Sequence, residues 1–172
     1  KGKYILGYHP HGIISVGCFG AFATNGARTL SLVENDNDDM KTNNNTKSSG
    51  SSGDDDEVTI QRGFSSLFPG IDRRVITLDQ NFSTPFLREY FLSMGACASD
   101  KKTFRNVLMQ PGRAVVVVVG GAAESLLSKQ GEIDLVLQTR RGFVREALLA
   151  NASLVPCIAF GETDLYHTYD PN

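Results

Sequence analysis

The sequence predicts an α/β fold, a largely parallel sheet flanked by helices, and two observations indicate it. Apolar strand-like runs alternate along the chain with segments of helical periodicity, the order expected of strands joined by crossover helices. Residues 115–119 are five consecutive valines, which is typical of a strand buried on both faces of a parallel sheet. The 172 residues suffice for about one domain with a hydrophobic core.

Four elements are predicted in the first two thirds of the chain. Residues 4–8 form a short apolar run and residues 75–78 form another, and both predict strands. Apolar side chains recur at helical spacing across residues 84–94, which predicts a helix. Asp100 can cap a second helix that continues to about Met109, where a Pro-Gly pair ends it.

Four further elements complete the alternating pattern. Residues 114–119 predict the buried strand, and the apolar triplet at 135–137 predicts a short strand. Residues 142–151 predict a helix, and the apolar run at 154–160 predicts the last strand. Strand and helix in turn argue for crossover connections within one sheet.

Residues 34–57 differ from the rest of the chain in composition. They are rich in Asn, Asp, Ser and Gly and contain almost no hydrophobic side chain, so they cannot bury enough apolar surface to offset their ordering entropy. We predict a disordered acidic low-complexity insertion within one domain formed by residues 1–33 and 58–172. Eight acids against two lysines give the insertion a net charge of −6, which leaves the remainder mildly basic.

The chain ends and the cysteines set further expectations. The sequence begins without Met and stops in a turn-like stretch, so we expect an internal piece of a longer protein, truncated at both ends. Cys18, Cys97 and Cys157 are far apart in apolar surroundings, which favours reduced thiols over a disulfide framework. No apolar run reaches the ~18 residues that span a bilayer.

The tetrad His9-Pro10-His11-Gly12 follows directly on the first predicted strand. Loops at strand ends commonly present reactive groups, and histidine titrates near neutral pH. Either imidazole could serve as a general base for a hydroxyl, ligate a metal, or be satisfied within a turn. A zinc-like ion needs three or four ligands and His167 is the only other histidine, so ligand counting disfavours a His-x-His metal-dependent hydrolase.

A Gly-Gly-Ala-Ala-Glu turn follows the five-valine strand. At Gly120 and Gly121 the backbone N–H groups can approach an oxyanion or a phosphate. Glu124 could orient an imidazole, bind a hydroxyl or act as a helix N-terminal acid. Arg140 and Arg141 precede a predicted helix start, where guanidinium and backbone donors favour an anion, although a solvated charge pair fits the pattern equally well.

Taken together, the chain resembles the type 2 diacylglycerol acyltransferase family, which includes monoacylglycerol and wax-alcohol acyltransferases. The similar segments are YILGYHPHGIISVGCFGAF from residue 4, FPGI from residue 68, PFLREY from residue 85, VVVGGAAESL from residue 117, and RRGFVREAL with LVPCIAFGE between residues 140 and 162. They cover most of the chain outside the insertion, and their joint order is highly specific.

The resemblance implies a glycerolipid-acyltransferase-like fold and acyl transfer from acyl-CoA to the hydroxyl of diacylglycerol. It places the reaction at the cytosolic face of the endoplasmic reticulum membrane and at lipid droplets. It implies no metal and no cofactor, with acyl-CoA as co-substrate. The implied partners are acyl-CoA, diacylglycerol and a membrane surface, with a homo-oligomer as a further option and no nucleic acid.

The resemblance also places the tetrad histidines at the catalytic position. We assign His11 as the general base and His9 as its supporting neighbour, with Glu124 as the candidate carboxylate partner. Candidate substrate-binding positions are glycines that let backbone approach the substrate and arginines that suit the phosphates of coenzyme A, namely Gly12, Gly120, Gly121, Arg140 and Arg141.

Two departures from related proteins leave alternatives open. Related glycerolipid acyltransferases carry an acid five positions after their histidine, whereas Ile14 and Val16 occupy those positions here. The acidic insertion is not part of the family pattern. The residues alone do not select among diacylglycerol, monoacylglycerol and long-chain alcohol as acceptor, and a metal-dependent hydrolase and a non-catalytic lipid-binding scaffold remain different-class alternatives.

Overall fold

A computed structural model describes residues 2–24 and 63–167. Within them the strands are β1 Tyr4–His9, β2 Asp72–Thr77, β3 Cys97–Ala98, β4 Arg113–Val118 and β5 Ser153–Ile158. They form one sheet in the order β3-β2-β4-β1-β5, and every neighbouring pair is parallel. The predicted α/β class with a parallel sheet is confirmed.

Helices lie between successive strands in the described parts of the chain. The helices are α1 Val16–Cys18, α2 Gly63–Leu67, α3 Leu87–Ser93, α4 Lys101–Leu108, α5 Gly121–Ser125 and α6 Gly142–Ala150. A π-helical turn at Phe19–Ala23 continues α1, and 3-10 turns occur at Asp79–Phe82 and Glu162–Asp164. The described helices are all too short to cross a lipid bilayer.

Side-chain alternation along the central strands produces two hydrophobic layers, one on each face of the sheet. On one face Leu6, Tyr8 and Val116 pack with Cys18 and Phe64, from the segment after β1 and from α2. On the other face Ile5 and Val115 pack against α4 and α6, through Phe104, Leu108 and Ala147. Burial on both faces accounts for the continuous apolar sequence of β4.

Most of the predicted elements are present, with shifted boundaries. Asp100 caps α4 as expected, because its carboxylate accepts a hydrogen bond from the backbone N–H of Thr103 at 2.9 Å. The helix predicted over 84–94 begins only at Leu87, since Phe86 has a φ of +66°, outside the helical region. The predicted strand at 75–78 extends back to Asp72, where it pairs with Arg113 of β4.

The prediction of a strand at residues 135–137 is wrong. In the structure this segment is a loop, and the backbone N–H of Val136 donates to the side chain of Glu124 at 2.9 Å instead of to a neighbouring strand. An apolar triplet cannot by itself distinguish a strand from a loop that is held by a carboxylate. The predicted insertion at 34–57 lies outside the described residues.

All three cysteines are free thiols. Cys18 is fully buried, whereas Cys97 and Cys157 are half-buried. Burial raises the pKa of each thiol, to about 12 for Cys18, and therefore keeps the thiols protonated at neutral pH.

Candidate active site

The tetrad lies at the carboxyl edge of the sheet, between the ends of β4 and β5. Because β1 is flanked by both of these strands, the turns that follow all three come together there. His9 is the last residue of β1 and pairs with Ile158 of β5. The backbone N–H of Ala159 donates to the His9 carbonyl at 2.7 Å, and the peptide bond between His9 and Pro10 is cis.

His11 is half-buried, and its ring is held by the main chain beside it. Its Nδ1 lies 2.9 Å from the carbonyl oxygen of Gly12. A carbonyl oxygen only accepts, so this contact requires the proton on Nδ1 and leaves Nε2 with a free lone pair in the neutral ring. The Nε2 lone pair of such an imidazole is available as a hydrogen-bond or proton acceptor.

His9 is in a different environment, since only 5% of its surface is exposed. Burial lowers the pKa of His9, an effect that the nearby charge of Glu124 partly offsets, so the ring is neutral at neutral pH. Its Nδ1 is a buried side-chain atom without a hydrogen-bond partner among the described residues. Buried unpartnered polar atoms are uncommon and often mark functional sites.

Glu124 is almost completely buried, with 1% of its surface exposed. Oε1 accepts from the backbone N–H of His11 at 2.6 Å, and Oε2 accepts from the backbone N–H of Val136 at 2.9 Å. We expected Glu124 to pair with an imidazole, but the structure joins it to the main chain of the tetrad. The carboxylate therefore links α5, the helix after β4, to the tetrad and to the loop that contains residues 135–137.

The predicted glycines Gly120 and Gly121 form the turn after β4, next to this carboxylate. Gly120 packs against the Glu124 side chain so closely that a Cβ atom would collide with its carboxylate. Gly121 begins α5, and Ser125 at the end of that helix donates to the carbonyl of Ile13 at 3.1 Å. The loop that begins with the tetrad is thus bound to the segment after β4 at two points, through Glu124 at His11 and through Ser125 at Ile13.

Arg140 and Arg141 line a cavity of about 490 Å³ between α4, α6 and the sheet. Arg140 Nη2 donates to the carbonyl of Gly120 at 3.1 Å, which connects the cavity to the edge that carries the tetrad. Arg141 is the N-cap of α6 and donates to the carbonyl of Gln138 at 3.3 Å. The two arginines predicted from the sequence therefore face one cavity.

Two further cations line the same cavity, Lys101 at the start of α4 and Arg145 in α6. The acidic residue of the lining is Glu146, whose carboxylate is already bound by Arg105 at 2.6 and 2.9 Å. The hydrogen bonds from Arg105 hold the pKa of Glu146 below its usual range, so Glu146 stays ionised and paired. The cavity therefore has an excess of positive charge and suits an anionic ligand.

Sequence reasoning missed the role of Glu162, which appeared there only as the last letter of a motif. Glu162 follows β5 as Glu124 follows β4, and it is buried beside the tetrad loop. The available signal was positional, because each acid follows a glycine turn at the end of a predicted strand. Among the described residues, no three His, Cys, Asp or Glu side chains cluster so that they could hold a metal ion.

Fold and site together describe an α/β protein with two histidines and two buried carboxylates at one sheet edge and a cationic cavity next to that edge. The family model for diacylglycerol acyltransferase matches residues 1–45 and 58–172, so the chain belongs to the diacylglycerol acyltransferase family. No solved structure shows a significant match.

Similar proteins from other organisms are named as acyltransferases. The chain is 41% identical over 171 residues to diacylglycerol O-acyltransferase 1 of Schizosaccharomyces pombe, covering 99% of the chain and 39% of that protein. Identity is 39% over 172 residues to diacylglycerol O-acyltransferase 2A of Umbelopsis ramanniana, with the same coverage. It is 38% over 173 residues to mouse acyl-CoA wax alcohol acyltransferase 2, covering 98% of the chain and 41% of that protein. The chain spans about two fifths of the length of these relatives.

Proposed function

We propose that this chain carries catalytic residues of an acyl-CoA-dependent O-acyltransferase that esterifies diacylglycerol to triacylglycerol. Family membership and the activities for which the relatives are named support the reaction class. The observation that carries the mechanism is the contact between His11 Nδ1 and the Gly12 carbonyl, because it leaves Nε2 free to accept a proton.

In the proposed step, the acceptor hydroxyl oxygen attacks the thioester carbonyl carbon while His11 Nε2 takes the hydroxyl proton. The tetrahedral intermediate collapses as the C–S bond breaks, and the proton passes from His11 to the departing sulfur of coenzyme A. Full deprotonation of an alcohol by an imidazole is uphill by roughly 9 pKa units, or ~12 kcal/mol, so the proton must move within the transition state. Such assistance contributes about 10² to 10⁴-fold.

The remaining rate enhancement requires positioning and stabilisation of the oxyanion. The backbone N–H groups of the Gly120–Gly121 turn are our candidates for the oxyanion donors, since they lie in the turn that Glu124 joins to His11. His9, buried and neutral, is the supporting neighbour of the base. The proposal needs no metal and no cofactor besides acyl-CoA as co-substrate.

We further propose that the enzyme works at a membrane surface, on the cytosolic face of the endoplasmic reticulum and on lipid droplets. Its acceptor and product are neutral lipids, which partition into apolar phases. Large apolar side chains are exposed next to the site, including Leu126 after α5 and Phe160 after β5, each 87% exposed. Exposed apolar groups of this kind suit contact with lipid.

The first test is ester formation by membranes from cells that express the full-length protein, supplied with labelled acyl-CoA. Diacylglycerol, monoacylglycerol and a long-chain alcohol are offered separately, each with and without a metal chelator. We expect triacylglycerol to be the main product and the chelator to have no effect. If the ester of the long-chain alcohol were the main product, the acceptor would be reassigned. Activity lost on chelation would contradict the metal-independent mechanism.

The cationic cavity leads to a separate prediction for acyl-CoA affinity. Arg141→Ala is expected to raise the KM for acyl-CoA about tenfold, because it removes a charge-assisted hydrogen bond to phosphate, and Arg141→Lys is expected to have a smaller effect. The kcat at saturating acyl-CoA should change less than about threefold. Lys129→Ala, which removes an exposed cation outside the cavity, is the matched control. An unchanged KM in Arg141→Ala would place the phosphates elsewhere.

A further inference from the structure

Glu162 begins the 3-10 turn that follows β5, on the opposite side of β1 from Glu124. It is buried, with 5% of its surface exposed. Its Oε2 accepts from the Tyr8 hydroxyl at 2.5 Å and from the backbone N–H of Gly17 at 3.0 Å, and Oε1 is 3.3 Å from the same N–H. One carboxylate therefore joins β5, β1 and the start of α1.

Tyr8 and Gly17 both favour a stable contact with the Glu162 carboxylate. Burial raises the pKa of Tyr8 well above its usual range, and the hydrogen bond to Glu162 and its charge add to the effect. The phenol therefore stays a donor at any working pH. Gly17 lies so close to the carboxylate that a Cβ atom at this position would collide with it.

Glu162 also packs directly on the tetrad. Gly12 has a φ of +59°, a conformation that favours glycine, and a Cβ atom there would lie 2.9 Å from Glu162 Cγ and 3.1 Å from its carbonyl oxygen. The carbonyl of Gly12 is the group that binds His11 Nδ1. The contacts thus continue from Glu162 to Gly12 and from Gly12 to the His11 ring.

We propose that Glu162 is a positioning residue for His11, acting through the backbone of Gly12. By holding the loop from Gly12 to Gly17 against the end of β5, it fixes the direction of the Gly12 carbonyl, and that carbonyl fixes the orientation and tautomer of the imidazole. The hydrogen bonds of the Glu162 carboxylate go to Tyr8 and Gly17, so its action on the ring is indirect. This inference rests on the proposed function, because it takes His11 as the base.

The test compares Glu162→Ala and Glu162→Gln in the full-length protein, with Glu89→Gln as the control because Glu89 is an exposed carboxylate on α3. Rates are expressed per mole of folded enzyme. The folded fraction is measured by thermal unfolding of the detergent-solubilised protein. Glu162→Ala is expected to lower kcat about 10- to 100-fold and to change the KM for acyl-CoA less than about threefold. Glu162→Gln should be intermediate, since its amide oxygen can still accept one of the hydrogen bonds.

Three results would overturn the positioning role. They are a kcat per folded enzyme that is unchanged, a loss that appears in the KM for acyl-CoA, and a glutamine variant as impaired as the alanine variant. Where the alanine variant does not fold, the kcat of the glutamine variant decides alone. Normal turnover in the Glu162 variants beside an inactive His11→Ala rejects this inference only, whereas a fully active His11→Ala rejects His11 as the base of the proposed function.

Discussion

Replacing His11 by alanine is expected to lower kcat for ester formation by about 10² to 10⁴-fold, the usual contribution of a general base. The KM for acyl-CoA should change less than about threefold, because the cationic cavity is intact in this variant. His11 donates its backbone N–H to Glu124, and alanine keeps that bond. The variant should therefore fold, and its loss should be one of chemistry. The measurement is steady-state ester formation from labelled acyl-CoA.

His167→Ala is the matched control for this experiment. His167 is exposed and is the third histidine of the chain, so its removal should leave kcat within about twofold. A scaffold without catalytic turnover predicts no difference between the two variants. Full activity in His11→Ala would remove the general base from the mechanism, whatever the acceptor lipid.

Replacing Glu124 by alanine is expected to reduce both turnover and stability. It leaves the backbone N–H groups of His11 and Val136 without their acceptor, at about 1–3 kcal/mol for each donor that stays buried. Because Glu124 holds the tetrad backbone, we expect kcat to fall at least about 100-fold. The loop that Val136 belongs to should loosen as well, so trypsin should cleave faster after Lys129 and Arg140.

Glu124→Gln separates positioning from charge at this site. Its amide oxygen can replace one carboxylate oxygen, but its NH₂ group must then face the second N–H donor. We expect kcat between that of the wild type and that of the alanine variant, with faster proteolysis than in the exposed control Glu89→Gln. Wild-type turnover and protease resistance in Glu124→Gln would show that neither hydrogen bond matters for activity.

Strands with strong local signals were predictable from the sequence. The valines of β4 predict burial on both faces. Asp100 and the Pro-Gly pair after Met109 predict where α4 begins and ends, because caps and breakers act within a few residues. The start of β2 was missed, since Asp72 and two arginines do not look like a strand. In the structure Asp72 contacts Arg113 of β4 at 2.8 Å, a pairing that local pattern cannot reveal.

The site was predictable only where its signals are local in the sequence. The tetrad and the two arginines stand out in the sequence because their chemistry is carried by adjacent residues. Which atoms Glu124 and Glu162 bind was not predictable, because those partners are separated from them by long stretches of chain. Glu162 and Tyr8 are 154 positions apart, and Glu124 and His11 are 113 apart.

By itself, then, the sequence determined the alternation of strands and helices, the position of the tetrad after a strand, and the family to which its motifs belong. Only the tertiary structure decided that the ends of β4, β1 and β5 are neighbours, because strand order depends on packing across the whole sheet. That order brings one buried carboxylate to each side of the tetrad. It also turns residues 135–137 from a predicted strand into a loop bound by Glu124.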